Sequence, residues 1–147
     1  MSYTIQVLIK GSKEQVFSAI SKNVQKWWGN TDYSVAAVND EFTTSFDKTF
    51  WKFKIAEFEQ FSKIVWDCID ARHIHTGYTG IEKEWLGTSV SWSLEEIAPT
   101  ETLLHFTHNG LVPELNCYEI CFPEWERFVT QSLKSFVESG KGMPHLS

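Results

Sequence analysis

The sequence predicts an α+β fold in which a curved antiparallel sheet of about six strands wraps around one long C-terminal helix, with short helices after the first strand. Strand-like stretches of alternating apolar and polar residues recur between residues 3 and 108. A long amphipathic segment near the C-terminus is the large apolar partner that such a sheet needs. No repeat, linker or low-complexity run divides the 147 residues, so we expect a single domain over residues 1–147.

The N-terminal segment predicts a strand followed by a short helix. In YTIQVLIK the apolar residues Ile5, Val7 and Ile9 share one face, which is the period of a strand. Ser12 followed by Gln15 forms a capping-box pattern, which predicts a helix start after Gly11. The segment SKNVQKWWGN is expected to add another helical turn or two.

Four central segments, DEFTTSFD, TFWKFKIAEFEQF, KIVWDCID and TSVSWSLEE, predict strands. KIVWDCID is apolar on both faces, so periodicity leaves open which face of residues 64–70 points inward. ARHIHTGYTGIEKE predicts a loop with two glycines. In the final strand, TLLHFTHNGL, a histidine shares the apolar face: Leu104, Phe106 and His108 lie on one side.

The C-terminal segment predicts the long helix. Pro123 suits a first helical turn, which places the helix at Glu124–Ser139 with a length of about 24 Å. Gly140 is expected to end it. Its apolar stripe at helical spacing consists of Trp125, Phe128, Val129, Ser132, Leu133, Phe136 and Val137.

Charge and cysteine content exclude several classes of protein. The net charge is -6, with 19 acidic and 13 scattered basic residues, which argues against a nucleic-acid partner. No apolar run reaches the roughly 18 residues of a membrane span, and the N-terminus lacks a signal-peptide pattern. Three cysteines suggest a reducing compartment, so we expect a cytoplasmic protein.

Aromatic residues make up 15% of the chain, with 11 Phe, 7 Trp and 4 Tyr. These rings either line an open pocket or fill the space beneath the helix, and the composition fits both alternatives equally. The candidate ligand-binding residues are Phe53, Trp66, Trp85, Trp92, Phe106, His108, Trp125 and Phe128.

Several stretches resemble a known superfamily. They are IKGSKEQVFSAISKNVQKWW, EWLGTSVSWSLEE, TLLHFTHNGL and CFPEWERFVTQSLKSFVESGKGMP. The chain is similar to START-like, or SRPBCC, proteins with their helix-grip fold, and within them to the group named after the activator of the heat-shock-protein ATPase. The resemblance implies a hydrophobic cavity between sheet and long helix, but it implies no single chemistry. The eukaryotic activator carries an extra N-terminal domain to which nothing here corresponds, so its co-chaperone activity does not transfer automatically.

His108 has two interpretations. The first places it at the inner rim of the cavity, where it would bind the polar head of a ligand, because it shares a face with Leu104 and Phe106. The structural alternative is a histidine bonded to a backbone carbonyl or a neighbouring side chain. An enzymatic base is the weaker hypothesis, since no partner Asp or Ser is identifiable. Among the carboxylates, Glu84 beside Trp85 is the first to examine.

Histidine and cysteine pairs raise the question of a metal. His73 and His75 form H-x-H in a loop, and Cys117 and Cys121 form C-x3-C. Zinc requires about four nitrogen or sulfur ligands, and the loop pair would need matching residues from distant segments. The apolar surroundings of Cys117 and Cys121 favour small buried hydrophobes instead. We therefore expect neither a metal nor a cofactor.

Three functions follow from these features. We favour binding of a small hydrophobic or aromatic molecule in the cavity between sheet and helix. A co-chaperone-like protein acting on a heat-shock chaperone is the first alternative, and it predicts an exposed patch outside the cavity. A cyclase- or hydrolase-like enzyme using the same cavity is the second. The chain is expected to be a monomer or a homodimer.

Overall fold

The computed structural model describes residues 2–145 and contains a seven-stranded antiparallel sheet with the strand order β1-β7-β6-β5-β4-β3-β2. The strands are β1 (Ser2–Ile9), β2 (Asn30–Thr31), β3 (Glu41–Phe46), β4 (Thr49–Glu59), β5 (Lys63–Arg72), β6 (Ser89–Ala98) and β7 (Glu101–Asn109). Helix α1 (Lys13–Ser21) and a 3-10 turn (Val24–Lys26) follow β1. The C-terminal helix consists of α2 (Tyr118–Arg127), a π-helical segment (Phe128–Leu133) and α3 (Lys134–Ser139).

The predicted fold class is confirmed, with one strand more than expected. The additional strand, β2, has two residues and pairs with β3, where the Thr31 and Thr44 hydroxyl oxygens lie 2.9 Å apart. A strand this short leaves no periodic signal in the sequence. The capping box of α1 is also present: Gln15 N donates to Ser12 Oγ, and Ser12 N donates to Gln15 Oε1.

The strands bury the predicted faces. On β7, Leu104, Phe106 and His108 are at most 1% exposed. On β5, the face that periodicity could not choose is resolved: Trp66 is fully buried, whereas Ile69 is 39% exposed. The concave side of the sheet therefore carries an almost continuous layer of aromatic rings beneath the C-terminal helix.

A β-bulge in β5 changes the inward face partway along the strand. Cys68 pairs with Phe53 of β4, and Asp70 pairs with the neighbouring Lys52. Ile69 therefore has no partner on β4 and is the extra residue of the bulge. Inward positions are even-numbered up to Cys68, and odd-numbered at Ala71 and His73, both of which are buried. Because a one-residue slip reverses every following side chain, the bulge turns His73 towards the concave side.

The C-terminal helix starts earlier than predicted. The predicted start at Glu124 is wrong: α2 begins at Tyr118, and Pro123 lies in its second turn. The start is stabilised from outside the helix, because the Glu84 carboxylate accepts hydrogen bonds from Asn116 N and Cys117 N, each at 2.9 Å. This cap comes from more than thirty residues upstream, so the local sequence does not reveal it.

The end of the helix matches the prediction. The two glycines that follow, Gly140 and Gly142, are needed for different structural reasons. Gly140 adopts a left-handed conformation with φ of 81°, which ends the helix at Ser139. Gly142 crosses the chain at Lys26 so closely that a Cβ atom would overlap the Lys26 carbonyl oxygen. Among residues 2–145, no helix combines the length and apolarity needed to cross a bilayer.

Candidate functional site

An open cavity of about 420 Å³ lies between the strand ends of β3–β5 and the N-terminal half of the C-terminal helix. The turn before β6, the residues after the 3-10 turn and the C-terminal tail complete its wall. The lining residues are Trp28, Phe46, Asp47, Thr49, Trp51, His73, Ile74, His75, Trp85, Ile120, Cys121, Glu124, Trp125, Arg127, Phe128 and His145.

Four tryptophans form the aromatic wall of this cavity. Trp125 stacks on Trp28 with ring centroids 5.0 Å apart, and on Trp85 at 5.7 Å. Trp51 meets Trp85 edge to face at 4.1 Å. Because each ring is fixed by contact with another, the wall presents flat apolar surfaces with a defined orientation.

The eight predicted ligand-binding residues fall into two layers. Trp85, Trp125 and Phe128 line the cavity. The other five lie one layer deeper, where each packs against Trp28, Trp85 or Trp125: they are Phe53, Trp66, Trp92, Phe106 and His108. The space between sheet and helix is thus filled with rings in its inner part and open in its outer part.

His108 joins these two layers through hydrogen bonds. Its Nδ1 accepts from Trp125 Nε1 at 3.0 Å, and its Nε2 lies 2.8 Å from the Thr88 hydroxyl. That hydroxyl donates its own hydrogen to the Trp85 carbonyl oxygen at 2.6 Å, so it accepts from His108 Nε2–H. The network therefore holds a neutral imidazole with its proton on Nε2.

Burial of the ring also favours the neutral form of His108. It lowers the pKa of His108 to about 3, because the charged imidazolium loses its hydration in the core. With both nitrogens engaged within the protein, His108 positions Trp125 and the Trp85 backbone at the cavity wall. A catalytic base would need a free nitrogen facing the cavity.

Some polar groups on the lining are paired with each other. The Thr49 hydroxyl accepts from Ile74 N at 2.9 Å and lies 3.1 Å from Ile74 O. At the rim, Arg127 Nη2 contacts Glu124 Oε2 at 2.7 Å, and the guanidinium lies 4.2 Å from the centre of the Phe128 ring. The rim is charged, whereas the wall beneath it is aromatic.

One end of the cavity carries a cluster of His73, Cys117 and Cys121. Their ligand atoms all lie within 4.8 Å of one another, and all three residues are buried. The apolar surroundings of the two cysteines in the sequence favoured small buried hydrophobes, because nothing local shows what packs against them. The β5 bulge and the early start of α2 are the two features that bring His73 to them.

The cluster is electrostatically asymmetric. A hydrogen bond from the Cys121 thiol and a weaker one from His73 together lower the pKa of Cys117 to about 6, against the opposing effect of burial. The same hydrogen bond, together with burial, raises the pKa of Cys121. The pKa values of the two thiols are therefore shifted in opposite directions, and Cys117 is the one whose thiolate form is favoured. A thiolate is the nucleophilic and metal-binding form of cysteine.

Several lining residues were absent from the sequence-based prediction, for two different reasons. Trp51 shares a strand face with Phe53, so periodicity contained the signal for it. Trp28 follows a short 3-10 turn, where helical spacing does not apply. It is 3% exposed and lines the cavity, while its neighbour Trp27 is fully buried.

The fold is similar to that of several solved structures. No family model matches the chain, and no curated protein matches it. The Aha1 dimer from Colwellia psychrerythraea is 26% identical, with a TM-score of 0.76 over 97% of this chain and 99% of that one. PFC0360w, an HSP90 activator from Plasmodium falciparum, is 17% identical, with a TM-score of 0.63 over 87% of this chain and 89% of that one.

A third similar structure is DynU16, a putative protein in the dynemicin biosynthetic locus. It is 18% identical, with a TM-score of 0.71 over 96% of this chain and 48% of that one. Each of these structures aligns with between 87% and 97% of the present chain. The chain therefore has an Aha1-like START/SRPBCC helix-grip fold.

Proposed function

We propose that this protein binds a small hydrophobic or aromatic molecule in the cavity beside the C-terminal helix. The observation that carries the proposal is the opening of about 420 Å³ walled by four fixed tryptophan rings. Its volume falls within the range of about 300–1,000 Å³ that is typical of small-molecule sites. Stacked indoles favour a flat ligand, because offset and edge contacts between rings add to the area that is buried.

The predicted binding residues have distinct roles in this proposal. Trp85, Trp125 and Phe128 contact the ligand, since they face the opening. The deeper residues Phe53, Trp66, Trp92, Phe106 and His108 hold those rings in place. A ligand of about 20 heavy atoms at roughly 0.3 kcal/mol per atom would bind with a Kd of tens of micromolar.

The proposal is tested with anilinonaphthalene sulfonate, a dye whose fluorescence rises in apolar sites. We expect saturable binding, with energy transfer from the tryptophans of the wall. Ile120→Trp fills the cavity from α2 and should weaken binding at least about tenfold, because the ring occupies the ligand volume. Ile97→Trp is the matched control, because Ile97 is 51% exposed on β6 and lies outside the lining.

Equal dye binding by both variants and the wild type would refute the cavity as the binding site. Native mass spectrometry of the protein purified from its own host addresses the natural ligand. A copurified small molecule that is lost in Ile120→Trp but kept in Ile97→Trp would support the proposal directly.

A chaperone partner is the second candidate. It is supported by the 26% identity to an Aha1 protein along almost the whole of both chains. Pull-down with a heat-shock chaperone tests it, and light scattering tests for the homodimer that this relative forms. The three cysteines are free and buried, which supports a reducing, cytoplasmic location.

A further inference from the structure

The first turn of α2 and the loop after β5 place three soft and borderline metal ligands together. Cys117 and Cys121 are four residues apart, so their side chains lie on the same face of the helix start. His73 approaches them from the other side of the cavity end, and the ligand atoms of the three lie within 4.8 Å of one another.

His73 is held in place but lacks a partner on one ring nitrogen. Its backbone N donates to Glu82 O at 3.1 Å, and its ring packs edge to face on Trp51 at 4.8 Å. The residue is 7% exposed, and Nδ1 is buried without a hydrogen-bond partner among residues 2–145. Buried polar atoms are usually satisfied, so this unpartnered nitrogen is available to bind a ligand.

We propose that His73, Cys117 and Cys121 bind a Zn²⁺ ion at the inner end of the cavity. Two sulfur ligands and one imidazole suit zinc, with Zn–S near 2.3 Å and Zn–N near 2.1 Å. A tetrahedral ion spaces such donor atoms about 3.6–3.8 Å apart, so binding requires the present cluster to close by about 1 Å at most. Side-chain rotation is sufficient for a movement of this size.

The fourth coordination position faces the cavity, because His73 and Cys121 both contribute to its lining. Sites with three protein ligands keep the fourth position for water or a ligand atom. Glu84 supports the site from outside, since its bonds to Asn116 N and Cys117 N fix the backbone that carries Cys117. Zinc binding requires no organic ligand, so the zinc and dye experiments can fail independently.

The test uses Co²⁺ as a spectroscopic substitute for Zn²⁺ on the reduced wild-type protein. We expect one Co²⁺ per chain, with thiolate-to-cobalt charge-transfer bands and the intense visible bands of tetrahedral cobalt. Equimolar Zn²⁺ should displace it. X-ray absorption on the zinc-loaded wild type should show two sulfur neighbours and one imidazole nitrogen, a readout that depends on no variant.

Matched variants assign the ligands. Cys117→Ser, Cys121→Ser and His73→Gln should each weaken Co²⁺ binding by more than about 100-fold, beyond the loss caused by an outer-shell partner. Cys68→Ser and His105→Gln should leave the affinity unchanged. Cys68 is a buried thiol bonded to Asp70 O, and His105 is a partly exposed histidine of β7 outside the cavity lining.

The proposal is overturned if wild-type protein shows no charge-transfer band, or if X-ray absorption finds only nitrogen and oxygen neighbours. It is also overturned if the band survives in Cys117→Ser or Cys121→Ser. Retention of the band in His73→Gln also overturns the proposed three-ligand site, because His73 would then not bind the metal. A variant that fails to fold by circular dichroism is replaced by its alanine counterpart, and the wild-type spectra decide in either case.

Discussion

His108 is fully buried, and its two ring nitrogens bond to Thr88 and Trp125. Because Thr88 gives its hydrogen to the Trp85 carbonyl, only the neutral imidazole protonated on Nε2 fits the network. The inward direction of His108 could be predicted from strand alternation. Its bonding could not, since Thr88 and Trp125 come from distant positions, and only the fold brings them to the ring.

Acid should destabilise the protein through His108. The pKa of His108 is about 3 in the folded protein and near 6.5 in the unfolded chain, so the unfolded state binds more protons between those values. Stability is full above about pH 6.5 and falls as the pH is lowered towards 3. Between about pH 7.5 and 5, His108 should cost roughly 2 kcal/mol of the free energy of unfolding.

Urea unfolding at the two pH values measures this effect. In His108→Gln the difference in the free energy of unfolding between the two pH values should be smaller by roughly 2 kcal/mol, whatever the variant's stability at neutral pH. His105→Gln is the control, because His105 is partly exposed on the opposite face of β7 and contacts Glu95. Equal pH dependence in wild type and His108→Gln would contradict a buried neutral imidazole.

At the scale of elements, prediction succeeds where the repeat is regular. The strand faces and the helix end at Gly140 follow from spacing and from one left-handed glycine. Prediction fails at the β5 bulge and at the start of α2, because both depend on partners in other segments. These two irregular features position His73 and Cys121, so the candidate metal site was the least predictable part of the molecule.

The cap of α2 gives a prediction at this scale. Glu84→Gln removes the negative charge from two backbone N–H bonds at the helix start, which should cost about 1–2 kcal/mol. For a chain of this length the melting temperature should fall by about 2–8 °C. Glu82→Gln in the same loop is the control, because Glu82 is exposed and only its backbone carbonyl contacts His73. Identical melting of the two variants would show that Glu84 does not cap the helix.

On the scale of the whole molecule, the C-terminal helix is joined to both ends of the edge strand β1. Lys134 Nζ donates to Leu8 O at 2.9 Å, and the Tyr3 hydroxyl donates to Glu126 at 2.6 Å. His145 N in the tail donates to Trp28 O at 2.9 Å. The cavity wall is assembled from segments spread between Trp28 and His145, so its geometry depends on the fold as a unit.

Ser132 joins the C-terminal helix to the segment after α1 and to the C-terminal tail. We expect that removal of its hydroxyl destabilises the whole fold. Its fully buried hydroxyl donates to Trp27 O at 2.6 Å and accepts from Met143 N at 2.7 Å. Ser132→Ala leaves both backbone groups without this partner, which should cost about 2–4 kcal/mol and lower the melting temperature by about 5–15 °C. Thr130→Ala is the matched control, because Thr130 bonds only within its own helix and should change stability by less than about 0.5 kcal/mol.

Loss of the same contact should also loosen the tail that closes one side of the cavity. Anilinonaphthalene sulfonate should therefore bind Ser132→Ala with altered affinity and Thr130→Ala as it binds wild type. If differential scanning calorimetry gave the same melting temperature for both variants, the tail would not be held through Ser132. The cavity wall would then depend on the sheet and the helix, without support from the bond between Ser132 and the tail.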